Sequence, residues 1–181
     1  MADPLELIAG TEVGCTDGGV GHVRGLIFDP LGRTVTHLSV CTRSPNQPGR
    51  LVPLEKVQSG GAAVELSCDR DRSYTFPANE ELAMAPQSQR GGRPAGAPGP
   101  HGEKELEEDE NVYASDGRAG HLVGAVVEGD SPAARGLLVR VGHFSGRHQV
   151  SVPIDAVTAI DKRGIHLSVA KDELSADSGL T

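Results

Sequence analysis

The chain has 181 residues, 37% of them hydrophobic but only 3% aromatic and none Trp. That length suits one or two small domains, with cores built from Val, Leu, Ile and Ala. The formal charge of −8 argues against general nucleic-acid affinity, DNA included, because phosphate binding needs a cationic surface.

Its 24 glycines and 12 prolines favour turns and short strands over long helices. Residues 2–8 read as a helical turn or an opening strand, with Leu5, Leu7 and Ile8 apolar. Thr11-Glu12-Val13 is extended and leads to Thr16-Asp17-Gly18-Gly19, where Asp-Gly signals a tight turn because Gly accepts positive φ cheaply. Residues 21–29 read as a strand, with Val23, Gly25 and Ile27 on one face and His22, Arg24, Leu26 and Phe28 on the other. Asp29-Pro30-Leu31-Gly32 is a second turn. Residues 34–43 form another strand, with Thr36, Leu38, Val40 and Thr42 alternating against Val35, His37, Ser39 and Cys41. After a loop at 44–49 come a short strand at 50–53, a helical turn at 54–57 and a strand carrying Val64, Leu66 and Cys68. A last strand is expected at 73–76 and a helical fragment at 80–84.

Composition then changes. Residues 85–102 hold four prolines and five glycines and little that is bulky, so they read as a disordered linker. Residues 103–110 follow with six acids against one Lys. That run accounts for most of the net charge, leaving room for a basic patch elsewhere, and it reads as a solubilising spacer, as a lure for a basic partner, or as a segment that folds back on the chain's own arginines.

The next segment has already occurred once. Asp116-Gly117-Arg118-Ala119-Gly120-His121-Leu122 answers Asp17-Gly18-Gly19-Val20-Gly21-His22-Val23 at an offset of 99. Val152-Pro153-Ile154-Asp155-Ala156-Val157 answers Val52-Pro53-Leu54-Glu55-Lys56-Val57 at 100, and Ile165-His166-Leu167-Ser168 answers Val64-Glu65-Leu66-Ser67 at 101. The expected organisation is therefore a first domain at 1–84, a flexible linker at 85–110, a second domain at 111–170 and a polar, fraying tail at 171–181. Each copy supplies about five or six short strands. Closing each into a small barrel removes its sticky edges, and the two barrels are then expected to pack as a pseudo-dimer.

These residues resemble the PRC-barrel family. The likeness rests on Leu5-Glu6-Leu7-Ile8-Ala9-Gly10, then Val13, then Asp17-Gly18-x-x-Gly21-His22-Val23, the Asp29-Pro30 turn, the Leu38-x-Val40 strand and the Val52–Val57 segment. In the second copy the acidic run stands where Leu5 to Gly10 would be. The family is named after the cytoplasmic domain of the photosynthetic reaction-centre H subunit and includes the C-terminal domain of a ribosome maturation factor. The resemblance implies an all-β chain of two PRC-type barrels and a non-catalytic docking or scaffold role, with no active site to carry over.

Candidate sites are few. His22 and His121 stand at matching positions and read either as paired ligands or pH-sensing groups across an interface or as inherited strand residues. His143 and His148 lack a third ligand for a metal. Gly18-Gly19-Val20-Gly21 lacks both a nucleotide fingerprint and a following helix, and so reads as a turn. The cysteines, Cys15, Cys41 and Cys68, are odd in number and without a C-x-x-C, which argues against a disulfide framework and for a reducing compartment. Cys15 would need a base to act as a nucleophile, and Cys41 and Cys68 read as small apolar strand residues. Arg24, Arg33, Arg43 and Arg50 in one copy and Arg135, Arg140 and Arg147 in the other could form a basic face for RNA or an acidic partner, although scarce aromatic residues argue against single-stranded RNA. No signal peptide or membrane-spanning stretch is visible, and Lys171-Asp172-Glu173-Leu174 is not at the extreme C-terminus where a retention signal acts.

The expectation is a cytoplasmic, non-enzymatic binding protein with no cofactor, metal or membrane insertion, docking a protein partner. Its contact surface is expected around Arg24, Arg43, Arg50, Arg140, Arg147, His22 and His121, with the loops 44–49 and 142–148. The alternatives are an accessory factor in ribosome or RNA maturation and a peripheral component of a membrane complex.

Overall fold

The computed structural model describes residues 3–42, 50–73, 104–142 and 148–176. Within them the chain is almost entirely β. Strands β1 (Leu5–Ile8), β2 (Glu12–Cys15), β3 (Gly18–Asp29), β4 (Thr34–Thr42), β5 (Arg50–Pro53), β6 (Val57–Ser59) and β7 (Val64–Leu66) are followed by a short helix α1 (Arg70–Ser73). Then come β8 (Lys104–Glu107), β9 (Asn111–Ala114), β10 (Gly117–Val127), β11 (Ala134–Val141), β12 (His148–Pro153), β13 (Val157–Asp161), β14 (Gly164–Leu167) and a second helix α2 (Lys171–Ala176). The helical turns expected after each Val-Pro are single 3-10 turns, Leu54–Lys56 and Ile154–Ala156.

Two seven-stranded sheets result, and they share one order. The first runs β5-β4-β3-β2-β7-β6 and the second β12-β11-β10-β9-β14-β13. In each, the β2–β7 or β9–β14 contact is parallel and the other pairings are antiparallel. Among the described residues no pairing joins the two ends of either path, so the sheets are open where closed barrels were expected.

The seventh strand of each sheet comes from the other half of the chain. β1 pairs antiparallel with β10, Leu7 opposite Ala125, and β8 pairs antiparallel with β3, Leu106 opposite Leu26. The acidic run is thus not a loose spacer. Leu106 stands 99 residues after Leu7, and both side chains are buried, at 1% and 0% exposure. Flanking carboxylates are compatible with a strand because alternate residues face outward.

The crossings between sheets come in matched pairs. The Ala9 amide donates to Val123 O (2.8 Å) and the Glu108 amide to Arg24 O (3.4 Å). The Gly10 amide donates to Val23 O (2.7 Å) and the Asp109 amide to Leu122 O (3.1 Å). Each crossing turns at a left-handed residue, Gly10 at φ 81° and Asp109 at φ 65°, and Asp is among the few side chains that tolerate that region. A third contact joins the turns themselves. Thr34 bridges Ala133, the Val35 amide donates to Pro132 O (2.9 Å) and the Ala134 amide to Arg33 O (2.9 Å). Every one of these pairs maps onto its counterpart at the offset of 99, as a twofold axis between the sheets would require.

The repeated Gly-His-x-x-Gly segment explains how an extra strand fits. A Cβ on Gly124 would lie 2.1 Å from Leu7 O, and one on Gly25 would lie 2.5 Å from Leu106 O. Only glycine lets the incoming backbone approach so closely. Just before each of these glycines the ladder to β4 or β11 skips a residue, Arg24 in β3 and Val123 in β10. These β-bulges change which alternate residues face the core. Val23, Leu26 and Phe28 therefore all join the core, as do Leu122, Ala125 and Val127. The alternation expected for 21–29 fails at that bulge. A single cluster of touching buried side chains runs through both sheets, with Leu7 and Leu106 in it.

The repeated Asp-Gly turns also anchor the short helices. Asp17 Oδ1 accepts from the Arg70 amide (2.8 Å) and Asp116 Oδ1 from the Lys171 amide (3.1 Å). The tail expected to fray thus begins as a helix, with Leu174 buried at 6% exposure. Ser73 belongs to α1 and not to a strand. The strand expected to continue through 76, the helical fragment at 80–84 and the linker at 85–102 lie outside the described residues.

Candidate functional site

Strand exchange brings β1, β4, the 3-10 turn after β5 and the β10–β11 turn together at the junction of the sheets. A groove of about 570 Å³ opens there. Leu5, Pro53, Leu54, Val57 and Pro132 supply its apolar lining, and Glu55, Glu128, Asp130 and His37 its titratable groups. His37 Nδ1 lies 3.0 Å from Thr36 Oγ1, which fixes its ring. Glu128 Oε1 is 3.2 Å from Arg135 Nε, so part of its charge is already engaged. The balance is three carboxylates against one histidine, over an apolar floor.

The matching place on the other side of the junction differs. There Arg33 stands where Pro132 lines the groove, and Asp155 where Glu55 does. Arg33 Nη1 bonds Asp155 Oδ1 across that place. On the groove side Pro132 brings no donor to Glu55, whose carboxylate meets only its chain neighbour Lys56 (3.7 Å) among the ion pairs of the described residues. One side of the junction is thus tied by an ion pair while the other is left open and acidic.

Of the residues expected to form a partner surface, the described ones lie on both sheets, with Arg140 and His121 opposite each other. Arg24 sits at the β3 bulge, 2.7 Å from Glu107 of the exchanged strand β8. Burial works against its charge, but Glu107 and Glu105 outweigh that and hold the guanidinium above its ordinary pKa. Arg24 therefore serves the strand exchange. Arg50 lies half-buried on β5 opposite Val40. Arg140 is exposed on β11 opposite His121. Arg43 and Arg147 lie outside the described residues, as do the loop 44–49, most of 142–148 and His143.

His22 and His121 occupy the same register in separate sheets, opposite Cys41 and Arg140. His22 is exposed. His121 Nδ1 lies 3.1 Å from Asp109 O, at the crossing, and Nε2 lies 3.0 Å from Arg118 Nη2. His148 is exposed on β12, opposite Val141. Among the described residues no group of three or more His, Cys, Asp or Glu side chains could hold a metal ion. Gly18 is the second residue of the Asp-Gly turn, at φ 145°.

Two further features were not legible as sites. On the outer end of the second sheet, His166 stacks on Tyr113 at a centroid distance of 5.3 Å and its Nε2 lies 3.0 Å from Asp161 Oδ2. Asp161 is held below the usual carboxylate range by the Arg163 amide and then by His166. In the first sheet, Cys15 and Cys68 meet with Sγ atoms 3.8 Å apart. Burial, and then Cys68 beside it, push the Cys15 thiol from 9.0 up to about 11. The groove left no local sequence signal, because its walls come from four separate segments that only the exchange assembles.

Among the described residues no helix is long and apolar enough to cross a membrane. A scan against protein-family models and a search of curated proteins both found no match.

Proposed function

We propose that the chain is a tandem of two PRC-barrel-like units, arisen by internal duplication, and that it acts as a non-enzymatic cytoplasmic docking protein. The repeated motifs and the shared strand order of the sheets support the tandem reading. The observation that carries the docking reading is the acidic, apolar-floored groove at the junction. Its occupant is a partner-protein segment with Lys or Arg flanking an apolar residue. The apolar residue covers Leu5, Leu54 and Val57, and the cation meets Glu55, Glu128 and Asp130. Burial supplies affinity and the charges supply orientation and on-rate.

The ribosome or RNA maturation reading needs available cations, and three of the arginines on which it relies, Arg24, Arg33 and Arg135, are paired with carboxylates. Affinity capture from native lysate, with and without nuclease, separates the readings. The docking reading expects a protein captured regardless of nuclease and lost with a Glu55→Lys, Asp130→Lys double variant. Capture that disappears with nuclease, or that survives the charge reversal unchanged, overturns it.

A further inference from the structure

We infer that Cys15 and Cys68 form a modification site, a thiol pair that closes reversibly into a disulfide in response to a disulfide oxidant. The two residues stand 53 apart in sequence, yet their sulfurs are 3.8 Å apart. The backbone holds them there. β2 and β7 run parallel, with Val13 opposite Val64, and the Thr16 amide donates to Cys68 O at 3.2 Å. Asp17 then holds the first amide of α1 just beyond Cys68.

Comparison with the second sheet shows that the fold does not require sulfur here. The matching positions carry Ala114 and Val169, and Leu174 stands where Ser73 does. The Ser115 amide donates to Val169 O at 2.8 Å, so the backbone contact is the same without thiols. The first sheet thus places two thiols and the buried Ser73 where the second places three aliphatic side chains. The third cysteine, Cys41, lies on β4 opposite His22 and takes no part.

Cys15 is half-buried and Cys68 buried, so Cys15 meets the oxidant first. Its thiolate attacks one sulfur of oxidised glutathione, forming a mixed disulfide and releasing one glutathione thiolate. The Cys68 thiolate then attacks Cys15 Sγ, forming the Cys15–Cys68 bond and releasing the second glutathione. Two electrons pass to the oxidant, and the two thiol protons end on the two released glutathiones. The high pKa of Cys15 keeps the first step slow near neutrality. The product ties β2 to the root of α1 and closes a long loop, which constrains the unfolded chain.

The test uses the full chain, reduced and then exposed to oxidised glutathione. Free thiols counted after denaturation should fall from three to one. Peptide mapping should join Cys15 to Cys68, and dithiothreitol should restore all three thiols. The oxidised protein should melt at a higher temperature, and that gain should vanish in Cys15→Ser and persist in Cys41→Ser. The rate should rise about tenfold per pH unit, as expected for a thiolate nucleophile well below its pKa. Retention of three thiols, glutathione remaining on Cys15, or a bond to Cys41 would each overturn the inference.

Discussion

The two sheets have one strand order and different fillings. Both accept a seventh strand from the other half of the chain, at Gly25 and at Gly124. Both hold a short helix with the Asp of an Asp-Gly turn. Yet the second sheet packs Ala114 and Leu174 into the core under that helix, where the first carries Cys15 and Ser73. One end of the junction is tied by Arg33 and Asp155, and the other is an open groove. Backbone architecture is thus set by a small set of glycines, turn residues and buried aliphatics. The remaining matched positions are free to take on local chemistry.

The exchanged strands offer the hardest way to break this symmetry. Leu106→Ala and Leu7→Ala each remove a side chain at 1% and 0% exposure, and each should cost about 2–5 kcal/mol in denaturant titration. The two costs should be similar, although Leu106 is flanked by charges and Leu7 by Ile8. Beneath the helices the sheets should diverge. Leu174→Ala should cost about 2–4 kcal/mol. Ser73→Ala forfeits the bond from its Oγ to Arg70 O (2.6 Å) and its hydrogen-bond contact with the Cys15 thiol and should cost about 1–2 kcal/mol.

The glycines sharpen the comparison further. Gly124→Ala should destabilise by about 1–3 kcal/mol. It should exceed Gly25→Ala, because the new carbon meets a carbonyl at 2.1 Å instead of 2.5 Å. Asp17→Ala and Asp116→Ala should each cost about 0.5–2 kcal/mol through the lost helix contact.

The smallest contrast is in pH. A thiol whose folded pKa is raised favours the protonated folded state. The stability linked to Cys15 is therefore complete below 9.0 and is lost as pH rises through about 11. The melting temperature of the wild type should fall more between those pH values than that of Cys15→Ala, which copies the second sheet.

Much of the fold could be read from residues alone. The repeated Asp-Gly, Val-Pro and terminal-strand elements marked β2 to β5, β7, β10 to β12 and β14 close to where they lie, while the short strands β6, β9 and β13 were not expected. Three things could not be read locally. Lys104–Glu107 was hidden by its charge, and only the spacing of Leu106 from Leu7 marks it as a strand. The bulges at Arg24 and Val123 break the two-residue period within an unbroken strand, so alternation assigns the wrong faces beyond them. Which sheet a strand joins depends on long-range pairing, since β1 and β8 carry the same kind of pattern toward either partner. The groove inherits that ambiguity, and the cysteine contact depends on a parallel pairing between distant strands.

Strand exchange is the claim on which the junction, the groove and the matched crossings all depend. Backbone nuclear Overhauser contacts in the labelled full chain test it most directly. The account predicts cross-strand contacts from Leu5–Ile8 to Gly124–Val127, and from Lys104–Glu107 to Gly25–Phe28. Contacts from Leu5–Ile8 to Gly25–Phe28 instead, with each strand returned to its own repeat, would contradict it.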